Sequence, residues 1–88
     1  MKGYLYILKS EKNGRYYIGS TKDTERRLKD FHNLGKVKAT RNSKPWVVVF
    51  RKEFRVIAEA RKMEYRLKQK KSKVIIEKII ENDRLDIV

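Results

Sequence analysis

The sequence has no cysteine, a single proline and a single histidine. Without thiols, neither a disulfide framework nor a cysteine-ligated zinc site can form. No apolar run is long enough for a signal-peptide core or a transmembrane helix, and there is no internal repeat, low-complexity tract or interdomain linker. These absences point to one soluble, cytoplasmic domain without a membrane partner. Its 88 residues suffice for a modest core. Acidic residues are scarce: 11 Asp and Glu face 24 Lys and Arg, for a formal charge of +13. Such an excess costs self-repulsion and favours a polyanionic partner, foremost nucleic acid. A ribosomal or chaperone-like basic protein would share this balance. The basic residues are spread over elements that have their own core stripes, which argues against a membrane-surface anchor. Nothing in the chain calls for an obligate protein partner.

What is present starts with two aromatic and aliphatic runs, Tyr4–Lys9 and Arg15–Ser20, separated by Glu11-Lys12-Asn13-Gly14. Asn13-Gly14 suits a two-residue type I′ turn, so the runs are expected to form an antiparallel hairpin in which paired residue numbers sum to 27. Alternation then puts Tyr4, Tyr6 and Leu8 on the face of Tyr17, Gly19 and Thr21, and Leu5, Ile7, Tyr16 and Ile18 on the other. The second face is an ordinary core face. The first gathers three phenols around a glycine, and buried phenols need partners.

After Gly19 the pattern switches to helical spacing, with Ser20-x-x-Asp23 resembling a capping box. Residues 22 to 34 are expected to be a helix, with Leu28, Phe31 and Leu34 facing the core and His32 at the border of that stripe. A lone histidine there is more often a packed, hydrogen-bonded core residue than a catalytic one. Residues 35 to 45 form the chief loop, carrying Lys36, Lys38, Arg41 and Lys44 without an acid. It is either a solvated connection or a phosphate-tracking loop. Trp46–Phe50 is nearly all apolar and suits a central strand buried on both faces. From Val56, the residues Val56, Ala60, Met63 and Leu67 form a helical core stripe with Glu64 at its edge. Between Arg61 and Lys73, Glu64 is the one acid among seven bases. It is either an ion-pair partner of Arg61 or Lys68, or a carboxylate available to a divalent cation such as Mg²⁺. Ser72 can cap a last helix with Ile75, Ile76, Ile79 and Ile80 on its buried side. The expected architecture is a compact α+β domain over residues 1–82, with a three-stranded antiparallel sheet flanked by helices in the order β-β-α-β-α-α, followed by a tail at 83–88.

Tyr4-Leu5-Tyr6, ten further residues, and then Tyr17-Ile18-Gly19 resemble the paired motif of the GIY-YIG nuclease superfamily. The resemblance continues through Ser20-Thr21, Arg26-Arg27-Leu28-Lys29, His32-Asn33, Lys44-Pro45-Trp46 and Glu59-Ala60…Glu64…Leu67-Lys68. It is strongest to small stand-alone members, related to the nuclease domains of UvrC, of the structure-specific endonuclease subunit Slx and of certain homing endonucleases. Tyr4 stands where the motif has glycine. The family's histidine stands four residues after the arginine, whereas His32 is five after Arg27, about 140° round an ideal helix. Either a distorted turn brings the two together or the histidine lies elsewhere.

The resemblance implies metal-dependent phosphodiester hydrolysis by an endonuclease, with DNA the expected nucleic-acid partner. Glu64 would hold Mg²⁺ or Mn²⁺, and Arg27 would neutralise phosphoryl charge. Tyr6 or Tyr17 would orient or deprotonate water, and His32 would complete the catalytic set. Gly19, Lys36, Lys38, Arg41 and Lys44 are the expected nucleic-acid contacts. The alternative is a non-catalytic nucleic-acid-binding module on the same scaffold.

Overall fold

The computed structural model describes residues 2–38 and 40–85, and only the backbone of residues 30 and 31. A hairpin of β1 (Gly3–Ser10) and β2 (Tyr16–Thr21) leads into α1 (Thr24–Arg27), which continues as a π-helical turn over Leu28–His32. After a loop with a 3₁₀ turn at Arg41–Ser43 come β3 (Trp46–Phe54), α2 (Ile57–Lys70) and α3 (Lys73–Asn82). The sheet is antiparallel with strand order β2-β1-β3, so this is the expected three-stranded α+β architecture. Among the described residues, no helix is long and apolar enough to cross a membrane.

The hairpin register differs from the expected one by two residues: Tyr6 faces Gly19 and Leu8 faces Tyr17, so paired numbers sum to 25. Only Gly14 of the Asn13-Gly14 pair has positive φ, 75°, which excludes a type I′ turn. Ser10 is the reason. Its Oγ accepts from the backbone N–H groups of Lys12 and Asn13 at 3.1 Å each, and Asn13 Oδ1 accepts from Arg15 N at 3.0 Å, which organises a wider loop closed by Gly14 N donating to Ser10 O. A shift of two keeps side-chain parity, so the two faces are as expected.

β1 is the central strand, not β3. Leu5, Tyr6, Ile7 and Leu8 are all essentially inaccessible, whereas Val47 and Val48 on the edge strand are 38% and 36% exposed. The apolar run of β3 has another use. Ile7 pairs with Phe50 but Leu8 pairs with Val48, so Val49 is an extra residue at a bulge. The bulge reverses parity and sends two even-numbered side chains to opposite faces. Phe50 joins Leu5, Ile7, Ile18, Leu67 and Ile79 in the core that α2 and α3 cover, and Trp46 joins Tyr6 and Leu8 on the other side.

The first helix is also shorter than 22–34. Its N-cap is Asp23, whose side chain accepts from Arg26 N at 3.1 Å, so Ser20 takes no part in the cap. The chain leaves helical geometry after His32. Leu34 is 62% exposed and outside the core, while the side chain of Phe31 lies outside the described residues. On α2, Ala60 and Leu67 are buried as expected, but Val56 is an exposed N-cap residue. Ser72 caps α3 through Ile75 N, and beyond α3 Leu85 packs on the core.

Leu67 is 2% exposed at the centre of the helix-covered core, so Leu67→Ala should lower the unfolding free energy by about 2–5 kcal/mol in urea titration. Leu34→Ala should change it by less than about 0.5 kcal/mol.

Candidate active site

The second apolar cluster does not end as a sealed core. Tyr6 lies at its centre, 1% exposed, and its ring occupies the space that a side chain on Gly19 would need. Any Cβ at position 19 would overlap the Tyr6 ring and hydroxyl, so Gly19 admits this phenol between the strands. The π turn supplies the next part. In α geometry residues five apart point in different directions, but a π turn closes i→i+5 bonds, here Asn33 N to Leu28 O at 2.9 Å. This distortion carries His32 round to the side of Arg27, and of the two sequence alternatives the distorted turn is the one found. His32 Nε2 lies 2.8 Å from the Tyr6 hydroxyl, and the Arg27 guanidinium hydrogen-bonds the same phenol.

The histidine tautomer follows from its neighbours. Thr40 Oγ1 donates to Val37 O at 3.3 Å, which leaves its lone pairs to accept from His32 Nδ1–H at 3.0 Å. Nε2 then carries no proton and accepts from the Tyr6 O–H. The result is a buried relay from Tyr6 to His32 to Thr40 to the Val37 carbonyl. Tyr17 packs against it, its ring 4.8 Å from the His32 ring and 6.4 Å from those of Tyr6 and Trp46.

Protonation states follow from burial. The Tyr6 phenol is pushed up to about 12 by burial and by Tyr17, against the opposing pull of Arg27. Burial and the Arg27 charge lower His32 to about 4. Both groups are neutral around pH 7, so the proton rests on Tyr6.

The carboxylate arrives from α2, which packs along β2. Ser20, on the helix-facing side of β2, donates to Glu64 Oε1 at 2.5 Å, and Lys68 Nζ holds Oε2 at 2.7 Å. The Lys68 ammonium also lies 5.5 Å from the centre of the Tyr17 ring. Of the two ion-pair partners considered, Lys68 is the one found. Glu64 is half-buried at the rim, its oxygens hard donors, and the position already accommodates a cation, that of Lys68. These features fit a divalent ion held by one protein carboxylate and completed by water and substrate oxygens. Among the described residues there is no cluster of three or more metal-ligating side chains.

Tyr6, Gly19, Arg27 and His32 therefore meet in one place, with Tyr17 packed on the histidine, and Glu64 stands beside this group, joined to it through Lys68 at the Tyr17 ring. Tyr4 does not join the other phenols: its hydroxyl donates to Glu53 at 3.3 Å and its ring packs under Arg51. Lys36, Lys38, Arg41 and Lys44 are exposed on the loop, but that loop is anchored. Thr40 is buried against His32 and its carbonyl accepts from Trp46 Nε1 at 2.9 Å. Ser10 Oγ donates to Ser43 O, and Asn33 brackets the Trp46 backbone with two hydrogen bonds. Arg41 Nε donates to Gly35 O, and the Lys44 ammonium lies beside the same glycine. Sequence reading missed Thr40, one of two hydroxyl residues inside a lysine-rich loop. It also assigned Ser20 to a helix cap, because nothing local reveals a partner 44 residues away.

Residues 2–79 match the GIY-YIG catalytic domain. The chain belongs to the GIY-YIG family. Its relatives include a UPF0213 protein of Staphylococcus saprophyticus, 39% identical over 80 residues, which span 86% of this chain and 96% of that protein. A UPF0213 protein of Streptococcus pneumoniae is 42% identical over 71 residues, 80% of this chain and 70% of that one. The solution structure of UPF0213 protein BH0048 from Bacillus halodurans superimposes with a TM-score of 0.57 at 32% identity, covering 92% of this chain and 84% of that chain. GIY-YIG is a nuclease family, and its catalytic domain spans nearly all of this chain.

The low His32 value makes a stability prediction. Its folded-state value, about 4, lies below the ordinary 6.5, so between these pH values the unfolded chain binds a proton that the folded chain refuses. Stability from this group is complete above pH 6.5 and falls as pH drops towards 4, by roughly 3 kcal/mol in all. Urea unfolding at stepped pH should show this loss, and His32→Gln should lack it.

Proposed function

We propose that this GIY-YIG protein is a cytoplasmic, metal-dependent endonuclease that hydrolyses phosphodiester bonds in DNA. The observation that carries the reading is the meeting of Tyr6, Arg27 and His32 in one cluster with Glu64 at its edge, bridged by Lys68 beside Tyr17. Simple phosphate binding needs cations only. A half-buried carboxylate held among them, beside a phenol in contact with an imidazole, is what hydrolysis requires.

Glu64 would hold Mg²⁺ or Mn²⁺, and the bound ion would polarise the scissile phosphate and stabilise the leaving oxygen. Arg27, partly buried beside Tyr6, would neutralise charge on the phosphoryl oxygens and fix the phosphate against the phenol. The attacking water would be oriented by the Tyr6 hydroxyl once substrate is in place. A standing phenolate is not available around pH 7, given the Tyr6 value of about 12. The phenol therefore accepts the water proton while passing its own to His32 Nε2, and Thr40 keeps the Nδ1–H side of the ring in place. Tyr17 packs on the imidazole and fixes its plane. Lys68 must leave Glu64 when a divalent ion takes its place, and its flexible stem allows this.

One observation favours the second reading, a nucleic-acid-binding module without catalysis: Lys68 already satisfies the carboxylate. The test is cleavage of labelled single-stranded, duplex and branched DNA with Mg²⁺ or Mn²⁺, beside a chelator control. Glu64→Ala and Tyr6→Phe should each lose at least about 100-fold in rate, with DNA affinity retained within about twofold. Binding without cleavage on every substrate would establish the binding module. Equal cleavage by Glu64→Ala would move the chemistry to other residues.

A further inference from the structure

On the other side of Tyr17 and Lys68 from the relay, the turn end of the hairpin and the α2–α3 junction border a groove of about 490 Å³. Its floor is apolar, formed by Tyr16, Leu67 and Ile76, and its rim carries Arg15, Lys71 and Lys73. No carboxylate lines it, and among the described residues these three rim cations form no ion pair. Three cations brought together on a chain of charge +13 repel one another unless an anion joins them. The N-terminus of α3, capped by Ser72, opens on the same space and adds favourable potential for negative charge.

Phosphate alone would not use the apolar floor. A nucleotide combines both halves, an anionic backbone and a flat ring that packs on aromatic and aliphatic side chains. The volume falls within the range of roughly 300–1,000 Å³ typical of small-ligand pockets, far below what a duplex occupies. Bases in a duplex have both faces covered by their neighbours, so only an unpaired base can settle on such a floor. Tyr17 and Lys68 belong to both places: Tyr17 packs at a tilt against His32 and Lys68 pairs with Glu64, and both line the groove. A strand lying in the groove therefore leads directly to the site.

We propose that this groove holds an unpaired nucleotide of the strand being cut, its phosphates on Arg15, Lys71 and Lys73 and its base on the Tyr16 floor. The protein then works beside single-stranded or frayed segments. The proposal rests on the endonuclease reading for the site next to the groove.

The test is a titration of ¹⁵N-labelled protein in a chelating buffer, where no cleavage can occur, with an oligothymidylate, a blunt hairpin duplex and an oligoglutamate. The oligothymidylate should shift the amides of Gly14–Tyr17 and Lys71–Lys73 at lower concentration than either of the others. Lys71→Glu combined with Lys73→Glu should weaken oligothymidylate binding by about tenfold or more. It should also reduce the salt slope by about 1.4, two single-strand phosphate contacts. Shifts confined to other surfaces, or an oligoglutamate as effective as the oligothymidylate, would overturn the proposal. Failures are separable: cleavage with silent groove amides removes the groove and keeps the nuclease. Groove binding without cleavage on any substrate keeps the groove and removes the nuclease.

Discussion

The Tyr6 hydroxyl, held between His32 Nε2 at 2.8 Å and the Arg27 guanidinium, is the contact on which the site depends. Each neighbouring irregularity of the fold serves it. Gly19 leaves space for the ring, the π turn brings His32 and Arg27 to the same side, and the β3 bulge delivers Trp46 beneath Tyr17. Thr40 and Asn33 then tie the loop to this cluster, so a segment rich in lysine is anchored by its buried polar residues. Regular geometry would have lost the arrangement. An unbroken α-helix through residue 34 would point His32 away from Arg27, and an unbulged β3 would put Trp46 on the helix-covered face.

Much of this was legible in the sequence, and the illegible parts share a cause. Periodicity revealed the hairpin faces, the stripe of α2 with Glu64 at its edge, and the Ile-rich side of α3, because these follow from burial at regular spacing. The five-residue interval from Arg27 to His32 signalled a departure from α geometry without saying how the chain resolves it. Register went wrong by two because Ser10 competes for the turn's N–H groups, a side-chain bond that turn propensities do not contain. Strand order was misjudged because an apolar run such as Trp46–Phe50 reads alike in a central strand and in a bulged edge strand serving both faces. Thr40 was invisible because its meaning comes only from His32 across the loop.

The electrostatics set the site apart from an ordinary basic surface. Most of the cations are exposed to solvent, but Arg27 is partly buried against a phenol and an imidazole that are both neutral. Its charge resists the upward push on Tyr6, which eases proton release from the phenol, while the same charge adds to burial in lowering His32 and makes the imidazole a weaker proton acceptor. Glu64 is placed where Ser20 and Lys68 hold it ready at the rim, and the same helix carries Lys68 towards Tyr17. The domain thus keeps one carboxylate close to, but not inside, its proton relay.

The most direct test of this account is the tautomer of His32, measured by long-range ¹H–¹⁵N correlation at pH 7. The chain's single histidine makes the assignment unambiguous. The account predicts a neutral ring with the proton on Nδ1 and a bare Nε2 facing Tyr6. A proton on Nε2, or an imidazolium at that pH, would contradict the relay and with it the role given to Tyr6.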